Sequence, residues 1–485
     1  MVKKMRSYLL ITLFVLAASL NAQVTTSSLS GKITDNENEP VIGATIRAIH
    51  EPSGTWYGGV TNTDGRYTIQ GMRVGGPYKI EISYVGHETA VFSGLNLTLG
   101  ETANISTKLK ESAQLLSEVV VLGKSGVDAN KTGAAASISA ADINRMPSIT
   151  HGIADVIRLN PQVSVSNNGA ISFAGVNNRY NSFQIDGTMN NDVFGLTSNG
   201  SNGGQAGTQP VSMETIEQLQ INIAPFDVRQ SGFTGGGINA ITKSGTNTLH
   251  GSVYGFGNNQ NLIGNKYTLM NGATSEKYNK QKEYQAGITV GGPIIKNKLF
   301  FFANYEKVSK EYPNAYGLGS PASSITSNNG TDQAKAILAK VKELAESQGV
   351  SYNGTLGSFD EYTKSDKAGV KLDWNINDKH KASVRWSMVS AKQLNSTSSA
   401  AYLNSSDYSY DFVSKTNTFV GELQSRLSNN INNEFRASYV RVRDQRDPGA
   451  PFPMIQIKGV GNGTLDLGNE RQMLLIRIYG RLQIT

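Results

Sequence analysis

The stretch Gly232-Phe-Thr-Gly-Gly-Gly-Ile-Asn-Ala-Ile-Thr-Lys-Ser-Gly-Thr-Asn247 divides the chain into two textures. Before it the sequence is glycine-punctuated and mixes short β-prone runs with short helical ones. After it come segments of about ten residues in which apolar and polar side chains alternate, as expected when one strand face meets lipid and the other a wet lumen. In Lys381 to Val389 the apolar set is Ala382, Val384, Trp386 and Met388, against Ser383, Arg385 and Ser387. Lys367 to Ile376 sets Ala368, Val370, Leu372 and Trp374 against Lys371, Asp373 and Asn375, and Thr418 to Ser428 sets Phe419, Leu423 and Leu427 against Glu422, Gln424 and Arg426. Charges on the second face call for water there and disfavour a dry interior. A soluble sandwich with its polar face outward is the alternative. Phe300 to Phe302, Tyr305, Trp374 and Tyr439 fit aromatic girdles near strand ends.

Composition agrees with a turn-rich β protein: 38% of the 485 residues are hydrophobic and 51 are glycine. Lys3, Lys4 and Arg6, the apolar run Tyr8 to Leu20 and the small residue Ala22 have the layout of a secretory signal peptide over residues 1–22. That run is too short to span a bilayer as a helix, so membrane crossing, if any, is by strands. The formal charge of +7 includes the three leader cations and forms no basic stripe, so nucleic acid is not an expected partner. The chain has no cysteine, which is compatible with a secreted protein held by strand hydrogen bonds.

Residues 27–110 alternate β-prone runs with turn signals such as Asn36 to Pro40 and Thr63 to Arg66. Gly31 to Ile46 and Thr61 to Ile69 closely resemble the carboxypeptidase regulatory-like domain, which implies a seven-stranded sandwich in a spacer role and no peptidase activity. Residues 111–123 read as a linker. Within it Glu118, Val119, Val120, Val121 and Leu122 form a short β-branched run suited to strand addition onto another protein's sheet edge, or to the first strand of the next domain. The run resembles the TonB box of TonB-dependent receptors.

Residues 124–248 resemble the plug domain of that family through four motifs in order. These are Ala154 to Val165 (helix, then strand), Phe173 to Thr188 (two strands), Met213 to Ile221 (helix-to-strand step) and Gly235 to Asn247 (closing strand). Ala224 to Gly232 and Leu249 to Phe256 resemble the Oar-like group. Gly235 to Gly237 are expected where plug backbone passes the barrel wall. The resemblance implies an outer-membrane location in a Gram-negative bacterium, with the Bacteroidota as the expected source. It also implies import of an extracellular ligand, TonB as energy-transducing partner, contact with outer-membrane lipid and a surface lipoprotein as a further partner. The family's apical plug loops fall here on Asn177 to Asn181 and Thr188 to Gln209. Asn178, Arg179, Tyr180, Asn190, Asn191, Asp192 and Phe194 are therefore the expected ligand contacts, with Arg179 alternatively pairing to wall carboxylates.

The expected fold is mainly β: a small β-sandwich, then an α+β plug domain, then a partial transmembrane antiparallel β-barrel over residues 249–485. Ser309 to Ser365 reads as a long polar loop with a helix over Gln333 to Ser347, capped by Asp332 and ended by Gly349. A plugged barrel of about 22 strands needs roughly 220 residues before loops. About seven strands are legible after Thr248, and the tail lacks the family's aromatic final residue, so truncation or a frame shift near the last 15 or so residues is expected. Five scattered histidines (His50, His87, His151, His250, His380) show no metal spacing, and no phosphate loop or nucleophile elbow occurs. No enzyme, cofactor or metal site is expected; Asp186 with Asn190, Asn191 and Asp192 offers oxygens to Ca²⁺ but reads first as turn chemistry. The competing functional class is a secreted or surface-exposed adhesive β protein.

Overall fold

The computed structural model describes residues 24–111, 119–122, 134–148, 150–166, 169–223, 233–263, 267–268, 274–275, 280–314, 316–318, 323–326, 329–357, 359–396, 398–428, 431–448, 452–469 and 473–484. The expected leader, Glu118 and the motif Ala224 to Gly232 lie outside the described residues, Ala224 and Gly232 included.

The N-terminal unit is a sandwich of eight strands rather than seven. They are β1 (Ser27–Thr34), β2 (Thr45–His50), β3 (Thr55–Val60), β4 (Arg66–Met72), β5 (Gly75–Ser83), β6 (Ala90–Leu97), β7 (Thr102–Asn104) and β8 (Thr107–Lys108). One sheet runs β4-β1-β7, with β8 also on β1; the other runs β3-β2-β5-β6. Period-two burial turns Leu29, Ile33, Ile46, Ala48, Ile80 and Ile82 into a shared core. β9 (Val119–Leu122) then pairs parallel to β6, with Ala90 opposite Val119 and Ser93 opposite Leu122. Of the two readings of this run, the one in which it opens the next domain is not what the pairing shows: its partner is the sandwich edge, because β6 leaves one side unpaired for an apolar strand to cover.

The next unit opens with β10 (Ala134–Ser139). Its five-stranded sheet runs β10-β15-β16-β13-β14, where β13 is Ser182–Ile185, β14 Thr188–Met189, β15 Ile216–Ile223 and β16 Gly236–Thr242; β11 (Val163–Val165) and β12 (Ile171–Phe173) form a separate hairpin. Helix α1 (Ala140–Arg145) starts at a capping box between Ser139 and Asp142, and α2 (Ile153–Ile157) buries Ile153, Val156 and Ile157. β16 is buried at every position, as a strand covered on both faces must be. Phe173, Ile185, Leu219, Ile221 and Ala240 fill the core around it.

An antiparallel sheet wraps this unit, so the unit is a plug against a wall. The strands are β17 (His250–Asn259), β20 (Lys282–Ile295), β21 (Leu299–Pro313), β22 (Asp360–Asn375), β23 (His380–Asn395), β25 (Tyr410–Arg426), β26 (Asn432–Pro448) and β29 (Met473–Ile484), each paired to the next in that order. Helix α3 (Gln260–Ile263) and a ribbon of β18 (Tyr267–Thr268) and β19 (Thr274–Ser275) follow β17. The sheet has eight strands against about seven expected, because the tail residues Met473–Ile484 pair along β26. Wall strands β20, β21, β22, β23, β25 and β26 run 14 to 17 residues, beyond the ten or so that a bilayer needs. The outward face is apolar as read: Val370, Leu372, Trp374, Val384, Phe419 and Tyr439 are exposed. The aromatic girdle is narrower than expected, since Phe300 and Phe302 point inward and are buried, while Tyr305 and Tyr439 sit mid-strand.

Successive wall strands join by short turns at one end (residues 296–298, 376–379 and 427–431) and by long connections at the other (314–359, 396–409 and 449–472). The long connections fold together. Helix α4 (Gly330–Ser347) packs near a three-stranded sheet of β24 (Tyr402–Asn404), β28 (Gly463–Asn469) and β27 (Phe452–Val460). Ile325, Ala334, Leu356, Leu403, Leu465 and Leu467 form its core. Helix α4 starts three residues earlier than read, and Asn329 occupies the cap position, with Asp332 in the first turn. Gly349 ends it as expected, at φ +71°.

Candidate functional site

The plug meets the wall at charged side chains. β13 and β14 are joined by the Asp186-Gly187 turn, whose positive φ values of 46° and 67° suit a type I′ hairpin. That turn aims the Asp186 carboxylate at the wall. Arg385 Nε lies 3.0 Å and Lys371 Nζ 4.0 Å from it. From the plug, Thr242 donates its N–H at 2.8 Å and its hydroxyl at 2.7 Å. Burial opposes the charge on Asp186, but Lys371, Arg385 and the Thr242 bonds outweigh it and hold the carboxyl below its ordinary range.

Two further charged clusters lie on the same inner face of the wall. Glu306, fully buried on β21, accepts from Lys367 Nζ, Gln285 Nε2 and the Tyr254 hydroxyl, each at 2.8 Å, and from plug Ser212 at 2.5 Å. Arg436 on β26 donates to Glu422 at 2.8 Å and to Thr25 at 2.6 Å, and also meets Glu434. The alternating pattern marks these residues as sharing one face; it does not say that the plug occupies the space beyond.

The plug glycines are corrected likewise. A Cβ on Gly235 would meet Asn181 at 2.3 Å, and one on Gly236 the Phe173 ring at 2.2 Å, both within the plug; at Gly237 the nearest atom, on Phe233, is 3.3 Å away. The glycine that passes tightly beneath the wall is Gly245, whose Cβ would lie 2.4 Å from the Phe301 carbonyl oxygen and 2.7 Å from that of Gly292.

The sequence-selected apical residues do come together, near the long-connection end, where Thr208 bonds Ser365 and Ala206 packs with Ala391, Tyr410 and Phe412. Asn178, Arg179 and Tyr180 form one 3₁₀ turn. Asn178 donates its amide to the Ser198 carbonyl, and Arg179 donates to that of Gly195 at 3.1 Å. Arg179 therefore ties two apical loops, and the expected pairing with wall carboxylates is not what the described contacts show. Tyr180 is 59% exposed. Asn191 accepts from the Phe183 N–H and donates to the Asn181 carbonyl; Asp192 accepts from the N–H groups of Phe194 and Thr197; Asn190 is buried and donates to the Thr188 carbonyl. This is loop-forming Asx chemistry, and among the described residues no group of acidic or histidine side chains is arranged to hold a metal. Phe194 is half-buried beside them. Of the strand-addition candidates, Val119 to Leu122 lie far along the chain on the sandwich edge.

A plug seated in a curved transmembrane-type sheet, preceded by a sandwich, defines a plugged outer-membrane barrel architecture. Comparison with known proteins agrees. Residues 28–110 match the carboxypeptidase regulatory-like domain, and residues 241–321 and 309–480 match an outer membrane beta barrel domain. The chain is 26% identical over 316 residues to the TonB-dependent transporter Oar of Myxococcus xanthus, covering 61% of this chain and 28% of that protein. It is 29% identical over 189 residues to the probable TonB-dependent siderophore receptor PirA of Acinetobacter baumannii, covering 36% of this chain and 23% of that one. The solved outer membrane transporter YddB from Escherichia coli superposes with a TM-score of 0.49 at 13% identity, over 70% of this chain and 43% of that one. The two curated relatives are named as a TonB-dependent transporter and a TonB-dependent receptor, and the C-terminal residues of this chain match the outer membrane beta barrel domain. The chain spans less than a third of the length of these two relatives. In an outer-membrane barrel short turns face the periplasm and long loops the outside, which orients the wall.

Proposed function

We propose that the chain is the plug-bearing part of a receptor that takes a ligand at its outer, long-loop end and passes it inward when TonB pulls on Glu118 to Leu122. The observation that carries this reading is the plug's attachment. It is held to the wall by discrete ion pairs, at Asp186 and Arg385 above all, with exposed recognition groups on one end and an edge strand on the other side. Arg179, Tyr180 and Asn178 offer donors and an exposed ring, chemistry that suits amide and carboxylate groups, so the ligand is peptide- or protein-derived. A surface lipoprotein covering the long-loop cap, and a source among the Bacteroidota, complete the proposal. A Val120→Pro variant should lose capture of the TonB periplasmic domain while keeping ligand binding, because proline removes a donor from the added strand. Retained capture would sink the assignment of that strand. Resistance of the parent protein to carbonate extraction from membranes separates a receptor from an adhesive secreted protein.

A further inference from the structure

The sandwich lies at the short-turn end and touches both the plug and the wall. On the plug side, Leu99 donates its N–H to Gln218 Oε1 at 2.9 Å and accepts from Gln220 Nε2 at 2.7 Å. Gln218 and Gln220 alternate along β15, so one face of that strand engages both backbone groups of one sandwich residue. Val74 and Leu99 bury against plug Ile241, a small apolar contact. On the wall side, Arg73 Nη2 lies 3.3 Å from Asp373, Asn375 donates to Thr55 at 2.8 Å, and Lys381 sits 4.2 Å above the Tyr57 ring. Between the three bodies is a cavity of about 210 Å³ lined by His50, Tyr57 and Arg73 of the sandwich and by Asp186, Lys371 and Arg385 above them.

A tethered spacer would leave Arg73 and Asp373 in water. Here their side chains keep 22% and 15% of their exposure. Burial works against the Arg73 charge, yet Asp373, with Tyr57, Tyr78 and Glu217, outweighs it and holds the guanidinium above its ordinary value. Among the described residues this contact is carried by the Arg73–Asp373 ion pair and several polar bonds, with Val74, Leu99 and Ile241 as its buried apolar cluster, and a contact weighted to polar groups parts more readily than an apolar one. We infer that the sandwich is a releasable cap on the periplasmic face of plug and wall, bolted by Arg73 and Asp373, which covers the cavity beneath Asp186. This rests on the membrane orientation given above, but its test does not depend on transport or on TonB.

The chain has no cysteine, so introduced thiols have no background. In the full-length protein a Thr55→Cys/Asn375→Cys pair should form a disulfide at least tenfold faster than a control pair of Val85→Cys, on the exposed far side of the sandwich, with Asn375→Cys. Equal rates would show an undocked sandwich and overturn the cap. Asp373→Asn should slow cross-linking at least fivefold, and the exchange Arg73→Asp/Asp373→Arg should restore it; an unchanged rate in Asp373→Asn would remove the bolt. Without any cysteine, amide hydrogen exchange at Leu99 should exceed that at Ile80 in the sandwich core at least tenfold. Equal protection would mean a fixed part of the fold and would overturn release.

Discussion

Asp186→Asn is the most direct probe of how the plug is held. Asparagine keeps the shape and still accepts the Thr242 N–H, so the change isolates the charge. It leaves Arg385, whose side chain is 7% exposed, and Lys371, at 12%, facing a neutral amide. Removing one member of a buried pair costs about 3–5 kcal/mol. The cavity beside it has room for some water, so a cost at or below the bottom of that range, about 2–3 kcal/mol, is expected. Each 1.4 kcal/mol is about tenfold in an opening equilibrium, so amides of β16, which Thr242 ends, should exchange roughly 30- to 150-fold faster. In an Arg385→Met background the same substitution should cost less than about 1 kcal/mol, because the cation that Asp186 neutralises is gone. Less than a threefold change in β16 exchange in the parent background would refute an ionic attachment at this turn. The pH dependence has a definite sign: a carboxyl held below its ordinary range stabilises the plug above the unfolded value and gives way only as pH falls through its own lower one.

Other expectations are independent of that one. Glu306→Gln should destabilise the plug–wall contact by about 3 kcal/mol in urea titrations, and Lys367→Met added to it should recover most of the loss, since the stranded cation is then removed. His50, buried against Tyr78 and bonded to Ser53 at 2.7 Å, is pushed down to about 3 by burial and by Arg73. The unfolded chain therefore binds the extra proton first, and sandwich stability should fall from pH 6.5 downward, by about 2 kcal/mol at pH 5, a slope absent in a His50→Gln variant. Gly245→Ala should cost about 1–3 kcal/mol because backbone oxygens meet the new methyl, while Gly237→Ala should change thermal stability by less than about 1 kcal/mol, its nearest neighbour being a phenyl ring. A reversed order of the two would contradict the close approach beneath the wall.

The wall was legible because a strand's period of two is strict: Val384 and Trp386 go one way and Arg385 the other whatever lies around them. What Arg385 meets was not legible. Its partner, Asp186, is about 200 residues earlier, and only the fold sets the Asp186-Gly187 turn opposite it. The turn itself could be read, as could the loop-forming Asn191 and Asp192, since Asx chemistry is local. Gly235 and Gly236 were recognised as tight positions, but sequence names no neighbour, and the crowding comes from Asn181 and Phe173 instead of the wall. Strand number and length were underestimated because pairing continues past the bilayer, where side chains alternate less clearly, and the tail strand shows itself only through its partner β26.

The parallel pairing of β6 and β9 has a mechanical meaning. Among the described residues β9 has a neighbour on one side only, so an incoming strand adds to its other side and places β9 inside a sheet shared by two proteins. The sandwich, β9 and the visitor then form links in series, with the plug attached further along the chain. Tension directed along β9 loads its four residue pairs with β6 together, in shear, instead of peeling them one by one. Such a joint resists steady force and yields abruptly, so whatever pulls there delivers its first work to the sandwich and only then to the plug.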